Sequence, residues 1–190
     1  MSLPPVIVTG VGAEPLVQLA ADELRGYLQG IFGLEARVVA ESAPDSRGPC
    51  FLLGLPTAAH IRQAGPGLPA LGDQGHLVRR LDERRMVLAG GSGAAVCWAV
   101  YELAERYGVA HLLHGDVLPE RPPGFHLPAV DCVLEPQLQL RSWRQFNDLP
   151  TSPGLWSLTQ QRAFIRQIFR LKYNGVYVCL WPHHPFVELQ

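Results

Sequence analysis

Three segments near the carboxyl end decide how this chain folds: LQLRSW (Leu138–Trp143), SLTQQRAFIRQIFRLK (Ser157–Lys172) and VYVCLW (Val176–Trp181). The first and third have the apolar, β-branched or aromatic character of strands, and the middle one has apolar residues at helical spacing. Ser157, followed three residues later by Gln160, is the capping-box pattern of a helix start. The order strand, helix, strand predicts one β-α-β unit, whose right-handed crossover makes the strands parallel neighbours. Parallel strands are normally buried, so we expect this unit to open a larger sheet or barrel.

The sequence before Pro136 has a different pattern, which predicts a domain boundary near that residue. Short β-branched runs alternate with two or three amphipathic helices, and His76–Leu81 with Arg85–Ala89 is predicted to form an antiparallel hairpin. Hairpin strands mixed with helices are typical of an α+β fold. We therefore expect residues 1–135 to form a mixed, largely antiparallel sheet with helices on one face, and residues 136–190 to form a separate unit.

The amino-acid composition is typical of a globular protein: 47% of the 190 residues are hydrophobic, 17% are charged, and the net charge is −1. Because Lys and Arg are dispersed, nucleic-acid binding is not expected. No apolar run approaches the ~20 residues that span a membrane, and Met1–Pro5 has no signal-peptide pattern. The location stays open between cytoplasmic and exported with the signal removed. The four cysteines lie far apart without a CxxC pair, and we expect neither a metal nor a cofactor.

Candidate binding residues gather where the two predicted carboxyl-terminal strands end. The carboxyl ends of parallel strands meet on one side of a β-α unit, and binding sites are built there. Arginine forks bind oxyanions, and aromatic faces pack on sugar rings. The sequence thus favours a sugar- or carboxylate-binding wall, with an ordinary loop whose aromatics cover the rim as the competing interpretation. The candidate residues are Arg141, Trp143, Arg144, Asn147, Trp181, His183 and His184.

A second candidate site is the segment VIVTGVGAEP (Val6–Pro15) near the amino end. It resembles the opening of a dinucleotide-binding unit, in which glycines let the backbone approach pyrophosphate at a helix N-terminus. The third glycine is absent, with Pro15 there instead, and Glu41 comes too late to be the acidic residue that such units carry. A plain strand–turn–helix is the competing interpretation, and a nucleotide-binding domain stays an alternative.

Several segments resemble, in the same order, the non-catalytic N-terminal domain of α-glucuronidases and β-N-acetylhexosaminidases. The resemblance covers nearly the whole chain, and the order of the segments is a stronger signal than any single motif. These segments are Ala20–Leu28, Leu52–Gly54, Gly75–Val78, Val87–Gly91, Trp98–Leu103, Gly108–Ala110 and Gly115–Pro119. The resemblance implies that residues 1–135 are an accessory domain like the second domain of hexosaminidases. Residues 136–190 would then be the first β-α-β of an incomplete TIM-type (β/α)8 barrel.

The resemblance also implies a function. Arg141 matches an arginine near the end of barrel strand 1 that binds a sugar hydroxyl in similar hydrolases, and Lys172-Tyr173-Asn174 resembles their K-x-N before strand 2. No glycine follows Arg141, and Trp181-Pro182-His183-His184 replaces the Asp-containing segment that hexosaminidases carry after strand 2. These departures favour an α-glucuronidase-like or an unassigned hydrolase, acting on an oligosaccharide.

No catalytic residue is recognised in this chain. After Pro136 only Asp148 and Glu188 are acidic, and neither matches a catalytic position of the resembled families. Glycoside hydrolysis usually needs two carboxyl groups beside the bond, so the chain is expected to be an inactive N-terminal portion of a hydrolase. A stand-alone carbohydrate-binding or interaction module is the alternative. The remainder of the barrel or a second copy is expected to cover the edge of Val176–Trp181.

Overall fold

The computed structural model describes residues 3–40, 47–65, 67–121, 124–145 and 156–178. The chain divides into two compact units. The first comprises residues 1–110 and 116–137, and the second comprises residues 111–115 and 138–190.

The first unit is built on a six-stranded mixed sheet in the order β2-β1-β3-β5-β4-β8. The four neighbouring strands β2, β1, β3 and β5 run parallel. Strand β4 pairs antiparallel with both β5 and β8. Its strands are β1 (Val6–Val8), β2 (Arg37–Val39), β3 (Cys50–Gly54), β4 (His76–Arg80), β5 (Arg85–Gly90) and β8 (Asp131–Leu134). The short strands β6 (Ala110–Leu112) and β7 (Gly115–Val117) form a separate two-stranded sheet.

Local sequence signals explain the helices of this unit. Helix α1 (Pro15–Phe32) begins with Pro15, whose missing N–H is not needed there, and ends at Gly33, which adopts the left-handed conformation. Helix α3 (Gly93–Arg106) begins after Ser92, whose side chain accepts a hydrogen bond from the N–H of Ala95. Helix α2 (Ala59–Ala64) is a six-residue turn without a side-chain cap.

The sheet is buried on both faces, since every residue of β1 and β3 is buried. Alternate strand residues, among them Val8, Leu52 and Val87, cluster with Ile61 of α2 on one face. Helices α1 and α3 pack together, and α3 lies on β4 and β5. None of the α1 and α3 residues belongs to the Ile61 cluster, so these two helices cover the opposite face.

The predicted α+β class with a mixed sheet and the predicted β4–β5 hairpin are confirmed. The prediction of a largely antiparallel sheet is wrong, because β1 pairs parallel with both β2 and β3, and β3 pairs parallel with β5. The prediction of helices on one face is correct for α1 and α3 and wrong for α2. Ile61 places α2 on the second face, and that helix is too short to show a helical period in the sequence.

The second unit contains β9 (Ser142–Gln145), α4 (Leu158–Arg170) and β10 (Gly175–Val178), and its two strands pair parallel. The predicted helix and its capping box are present: Ser157 Oγ accepts from the N–H of Gln160, and Gln160 Oε1 accepts from the N–H of Ser157. The predicted strand Leu138–Trp143 lies too early, since β9 starts at Ser142. Among the described residues, no helix has both the length and the apolar character to cross a membrane.

Candidate functional site

The parallel strands β9 and β10 form the frame of the candidate site. Trp143 lies opposite Val176, and Arg144 lies opposite Tyr177. Successive side chains of a strand point to opposite faces of a sheet. Trp143 and Arg144, which the sequence grouped in one binding wall, therefore lie on different faces.

Trp143 lies on the face that α4 covers. Its ring is 5.8 Å from that of Phe164 in α4 and 5.7 Å from that of Tyr173, both measured between centroids and both edge-to-face. Phe164 is itself buried. Edge-to-face aromatic pairs of this kind stabilise packing. The indole of Trp143 is thus engaged in holding the helix against the strands.

Arg144 lies on the other face of the sheet, beside Tyr177. The guanidinium carbon of Arg144 is 5.7 Å from the centroid of the Tyr177 ring, which is within the range of a cation–π interaction. Both residues are exposed, and Tyr177 keeps 59% of its surface accessible. An arginine fork next to an aromatic face can bind an oxyanion together with the apolar side of a sugar ring.

Sequence reasoning missed Tyr177. In VYVCLW it appears as one more apolar position of a buried strand, since a parallel strand is expected to be hydrophobic on both faces. The signal that could have found it is the alignment of the two segments. Once β9 and β10 are in register, the aromatic residue of the second strand falls opposite an arginine of the first.

Arg141 lies at the amino end of β9, one residue before the strand begins. The prediction placed it near the carboxyl end, and the later start of β9 corrects this. Its Nε donates to the carbonyl oxygen of Lys172 and its Nη1 to that of Leu138, each at 2.8 Å. Burial lowers the pKa of the guanidinium. These contacts tie the segment before β9 to the loop between α4 and β10.

Asn174 completes the same junction. Its Oδ1 accepts a hydrogen bond from the N–H of Arg141 at 2.7 Å, and its Nδ2 donates to the carbonyl oxygen of Gln139 at 2.8 Å. Lys172 adopts a left-handed conformation with φ of 65° just after the helix ends. The K-x-N segment therefore turns the chain out of α4 and aligns the start of β10 with β9.

The remaining candidates, Asn147, Trp181, His183 and His184, lie outside the described residues. Among the residues that are described, no group of three or more His, Cys, Asp or Glu side chains is placed to hold a metal. Within the described part of the second unit, the exposed pair Arg144 and Tyr177 lies on the face of the two strands that α4 does not cover.

The chain matches no protein-family profile and no curated protein. It is similar to several solved structures. One is a family GH115 4-O-methyl-α-glucuronidase with specificity for decorated arabinogalactans, with a TM-score of 0.69 and 18% identity over 93% of this chain. Another is the GH20 β-N-acetylhexosaminidase from Streptomyces coelicolor A3(2), with a TM-score of 0.59 and 14% identity over 92% of this chain. A third is a GH138 enzyme targeting pectin rhamnogalacturonan II, with a TM-score of 0.56 and 15% identity over 96% of this chain.

All three similar structures are glycoside hydrolases, and this chain spans only 25–30% of their length. At 14–18% identity such a likeness establishes the fold alone. The α+β fold with its mixed sheet is therefore one that also occurs within larger glycoside hydrolase chains.

Proposed function

We propose that this chain is the N-terminal portion of a glycoside hydrolase resembling α-glucuronidases. In this proposal, residues 1–135 are an accessory domain and residues 136–190 are the first β-α-β of a (β/α)8 barrel. One observation carries the proposal: the mixed α+β unit is followed by the parallel β9-α4-β10 unit, in an order that over 90% of the chain shares with three hydrolase structures. Fold likeness alone does not define an activity, so the activity itself has to be tested.

The chain by itself is proposed to be inactive. Hydrolysis of a glycosidic bond usually takes a pair of carboxyl groups about 5–10 Å apart. The segment after Pro136 has only Asp148 and Glu188, which lie in different parts of the sequence. The catalytic pair would come from barrel strands that this chain lacks.

Substrate binding is proposed for Arg144, with Tyr177 beside it. On the inner face of a closed barrel, the guanidinium would bind a carboxylate or hydroxyl oxygens of a sugar, and the tyrosine ring would lie against its apolar side. Asn147, Trp181, His183 and His184 follow these strands in the sequence and complete the proposed contacts. Arg141 and Trp143 belonged to the predicted set, and their backbone and aromatic contacts favour positioning β9 over touching the sugar.

Turnover assays test the hydrolase proposal. The 190-residue chain is expected to release no uronic acid from methylglucuronoxylan or arabinogalactan oligosaccharides, whereas the protein encoded by the complete reading frame around it is expected to do so. Turnover by the short chain would contradict its inactivity, and a longer protein without glycosidase activity would contradict the hydrolase assignment.

A matched pair of arginine variants tests the binding residue in that longer protein. Arg144→Ala should lower kcat/KM by about 10-fold or more, because a charged hydrogen-bond donor to the substrate is lost. Arg162→Ala, on the exposed surface of α4, should leave it unchanged. Equal kinetics in the two variants would remove Arg144 from the site.

A stand-alone carbohydrate-binding module is the second candidate, favoured by the exposure of the Arg144–Tyr177 pair in the chain as it is. It predicts that the chain binds glucuronic acid or xylo-oligosaccharides without cleaving them. Isothermal titration of the chain and of Arg144→Ala would distinguish the candidates. A saturable heat of sugar binding to the chain that Arg144→Ala abolishes supports the binding-module function. No heat of binding with either protein counts against that function.

We also propose that β10 gains a neighbour on its free edge, either from the remainder of the barrel or from a second copy of the chain. Among the described residues, β10 pairs only with β9, and an open strand edge offers unpaired N–H and C=O groups. Sedimentation velocity combined with hydrogen exchange of β10 tests this. A monomer whose β10 amides are all protected would contradict it.

A further inference from the structure

A cleft opens in the first unit between the carboxyl ends of β1 and β3. From β1 the chain continues through α1 to β2 on one side, and from β3 it continues through α2 towards the β4–β5 hairpin on the other side. Where two neighbouring parallel strands send their connections in opposite directions, a crevice is left that commonly holds a ligand. This one has a volume of about 480 Å³ and is lined by the segments 9–14, 54–55 and 57–60, together with Val17. That volume suits a small molecule.

His60 forms the floor of the cleft. Only 4% of its surface is accessible, and its Nε2 lies 2.9 Å from the carbonyl oxygen of Leu53. A carbonyl oxygen can only accept, so Nε2 is the donor of this bond, and in the Nε2–H tautomer Nδ1 presents a lone pair. No described residue donates a hydrogen bond to Nδ1. It is also not among the described side-chain atoms that are sealed from solvent without a hydrogen bond, so it is accessible, and His60 lines the cleft.

Gly10 keeps that nitrogen accessible. Its φ of +77° is a conformation that glycine tolerates best. A Cβ at this position would lie 2.7 Å from both Nδ1 and Cε1 of His60, so any larger residue would fill the space beside the ring. Gly54 approaches the same ring from β3, where a Cβ would lie 3.2 Å from Cε1.

Hydrogen-bond donors come from the backbone between β1 and α1, which also lines the cleft. The N–H of Thr9, just after β1, is still used in the sheet, where it donates to the carbonyl oxygen of Val39. Among the described residues, no group accepts from the N–H groups of the four following residues, 10–13. The exposed hydroxyl of Thr57 adds a group that can both donate and accept. The lining of the cleft therefore contains both hydrogen-bond acceptors and donors.

The charge of the lining selects among possible ligands. Among the described residues, Glu14 is the only charged side chain of the lining, and neither Lys nor Arg belongs to it. The Glu14 carboxylate lies against Gly93, at the start of α3, and Pro15 removes one donor from the first turn of α1. A phosphate or a nucleotide would bring further negative charge next to Glu14 without a compensating cation. A ligand with neutral hydroxyl groups can satisfy the lone pair, the carboxylate and the N–H groups together.

We propose that this cleft binds a neutral polyhydroxylated ligand of monosaccharide size. One hydroxyl donates to Nδ1 of His60, and other ligand oxygens accept from the backbone N–H groups of residues 10–13. The cleft lies wholly in the first unit, so the proposal does not depend on the proposed barrel or on its substrate.

Nuclear magnetic resonance of the ¹⁵N-labelled 190-residue chain tests the ligand class. We expect D-glucose, D-galactose or D-xylose to produce saturable shifts in the amide resonances of Gly10, Val11 and Gly12 at millimolar concentrations. Inorganic phosphate and AMP should leave these resonances in place. The proposal is overturned if none of the three sugars moves them at about 50 mM, which corresponds to a very weak affinity. It is equally overturned if phosphate or AMP moves them and the sugars do not.

Two variants test the named contacts. His60→Phe removes the acceptor while keeping an aromatic ring, and it should weaken sugar binding by about 3- to 10-fold, the effect of one hydrogen bond. Thr57→Val at the exposed rim should weaken it by a similar factor and is safe for folding. Thr159→Val on the exposed side of α4 is the matched control and should leave affinity unchanged. If His60→Phe fails to fold, the sugar affinity of Thr57→Val tests the proposal instead. Unchanged sugar affinity in every folded variant of the cleft overturns the proposal.

Discussion

Asn174 and Arg141 are joined by two hydrogen bonds at the point where β9 and β10 begin. The N–H of Arg141 donates to Oδ1 of Asn174 at 2.7 Å, and the N–H of Asn174 donates to the carbonyl oxygen of Arg141 at 2.9 Å. The side chain of Asn174 makes a further bond to Gln139. One residue thus sets the register of the two strands, and this register places Arg144 opposite Tyr177.

Two substitutions of Asn174 should weaken this junction to different degrees. Asn174→Ala loses both side-chain bonds and should lower the free energy of unfolding of the second unit by about 1–2 kcal/mol. Asn174→Asp keeps the acceptor for the N–H of Arg141, loses the donor to Gln139, and should cost about half as much. Urea unfolding combined with hydrogen exchange of β10 measures both effects. Two variants as stable as the parent would show that β9 and β10 align without this side chain.

The two isoleucines of α4 provide a matched test of packing. Ile168 has 3% of its surface accessible and Ile165 has 50%. Ile168→Ala should therefore lower the free energy of unfolding by about 2–4 kcal/mol, while Ile165→Ala should change it by less than about 1 kcal/mol. Thermal or urea unfolding of the two variants measures the difference. Equal losses would mean that α4 does not pack by the face that the structure gives it.

Gly10 and Gly26 should respond to alanine in opposite ways. Gly10 has a positive φ and no room for a Cβ beside His60, so Gly10→Ala should destabilise the first unit by about 1–3 kcal/mol. Gly26 lies in the exposed part of α1 with no heavy atom near its missing Cβ, and Gly26→Ala should stabilise it by up to about 1 kcal/mol. Differential scanning calorimetry shows whether each substitution raises or lowers the melting temperature. A neutral Gly10→Ala would contradict the close approach of His60.

Asp82 should make stability depend on acid pH. Its Oδ1 accepts from the N–H groups of Arg84 and Arg85, and its Oδ2 accepts from Nε of Arg85. Burial, the largest single effect, raises the pKa of this carboxyl, but the hydrogen bonds and the charge of Arg85 together bring it below its ordinary value of 3.8. A lowered folded-state pKa means that ionised Asp82 stabilises the fold above 3.8 and that this contribution is lost as the pH falls through the lowered pKa.

Asp82→Asn should therefore reduce stability at neutral pH by no more than about 1 kcal/mol, since the side chain is largely exposed. The difference from the parent should shrink as the pH falls to about 2. Glu83→Gln, at an exposed neighbour, is the control and should show no such pH dependence. Parallel stability curves for the parent and Asp82→Asn across this range would refute the assignment.

The thiols should differ in reactivity. Burial, and after it the charge of Glu23, raises the pKa of Cys97 to about 12, and its Sγ donates to the carbonyl oxygen of Leu16. At pH 8 only about one such thiol in ten thousand is ionised, whereas Cys132 is only partly buried. Iodoacetamide should label Cys132 in the native chain and spare Cys97 until urea is added, as peptide mass spectrometry would show. Similar labelling rates for both thiols would contradict the burial of Cys97.

Features encoded over short distances were predictable from the sequence. The capping box of Ser157 and Gln160 and the β4–β5 hairpin each depend on residues close together in the chain, and both are present. The parallel pairing of β3 with β5 depends on residues that are far apart in the sequence, and no local sequence pattern indicates it. This is why the sheet was expected to be largely antiparallel.

The candidate site was predictable only in part for the same reason. Arg144 entered the predicted set because an arginine near a strand end is conspicuous, but its place opposite Tyr177 depends on the pairing of two strands about thirty residues apart. Arg141 was misplaced because strand residues cannot be told from the extended residues before them. Four of the seven candidates lie outside the described residues, and their substrate contacts stay predictions.

The alternation along β9 and β10 separates two kinds of evolutionary pressure. The residue at position 143 packs against Phe164 and Tyr173, so it can change only if the helix packing changes with it. Positions 144 and 177 face away from the helix and bear little of the stability of the unit. If these positions bind the proposed ligand, its preference can drift through substitutions at every second residue while the fold stays intact, and proteins that share this architecture should differ most at those two places.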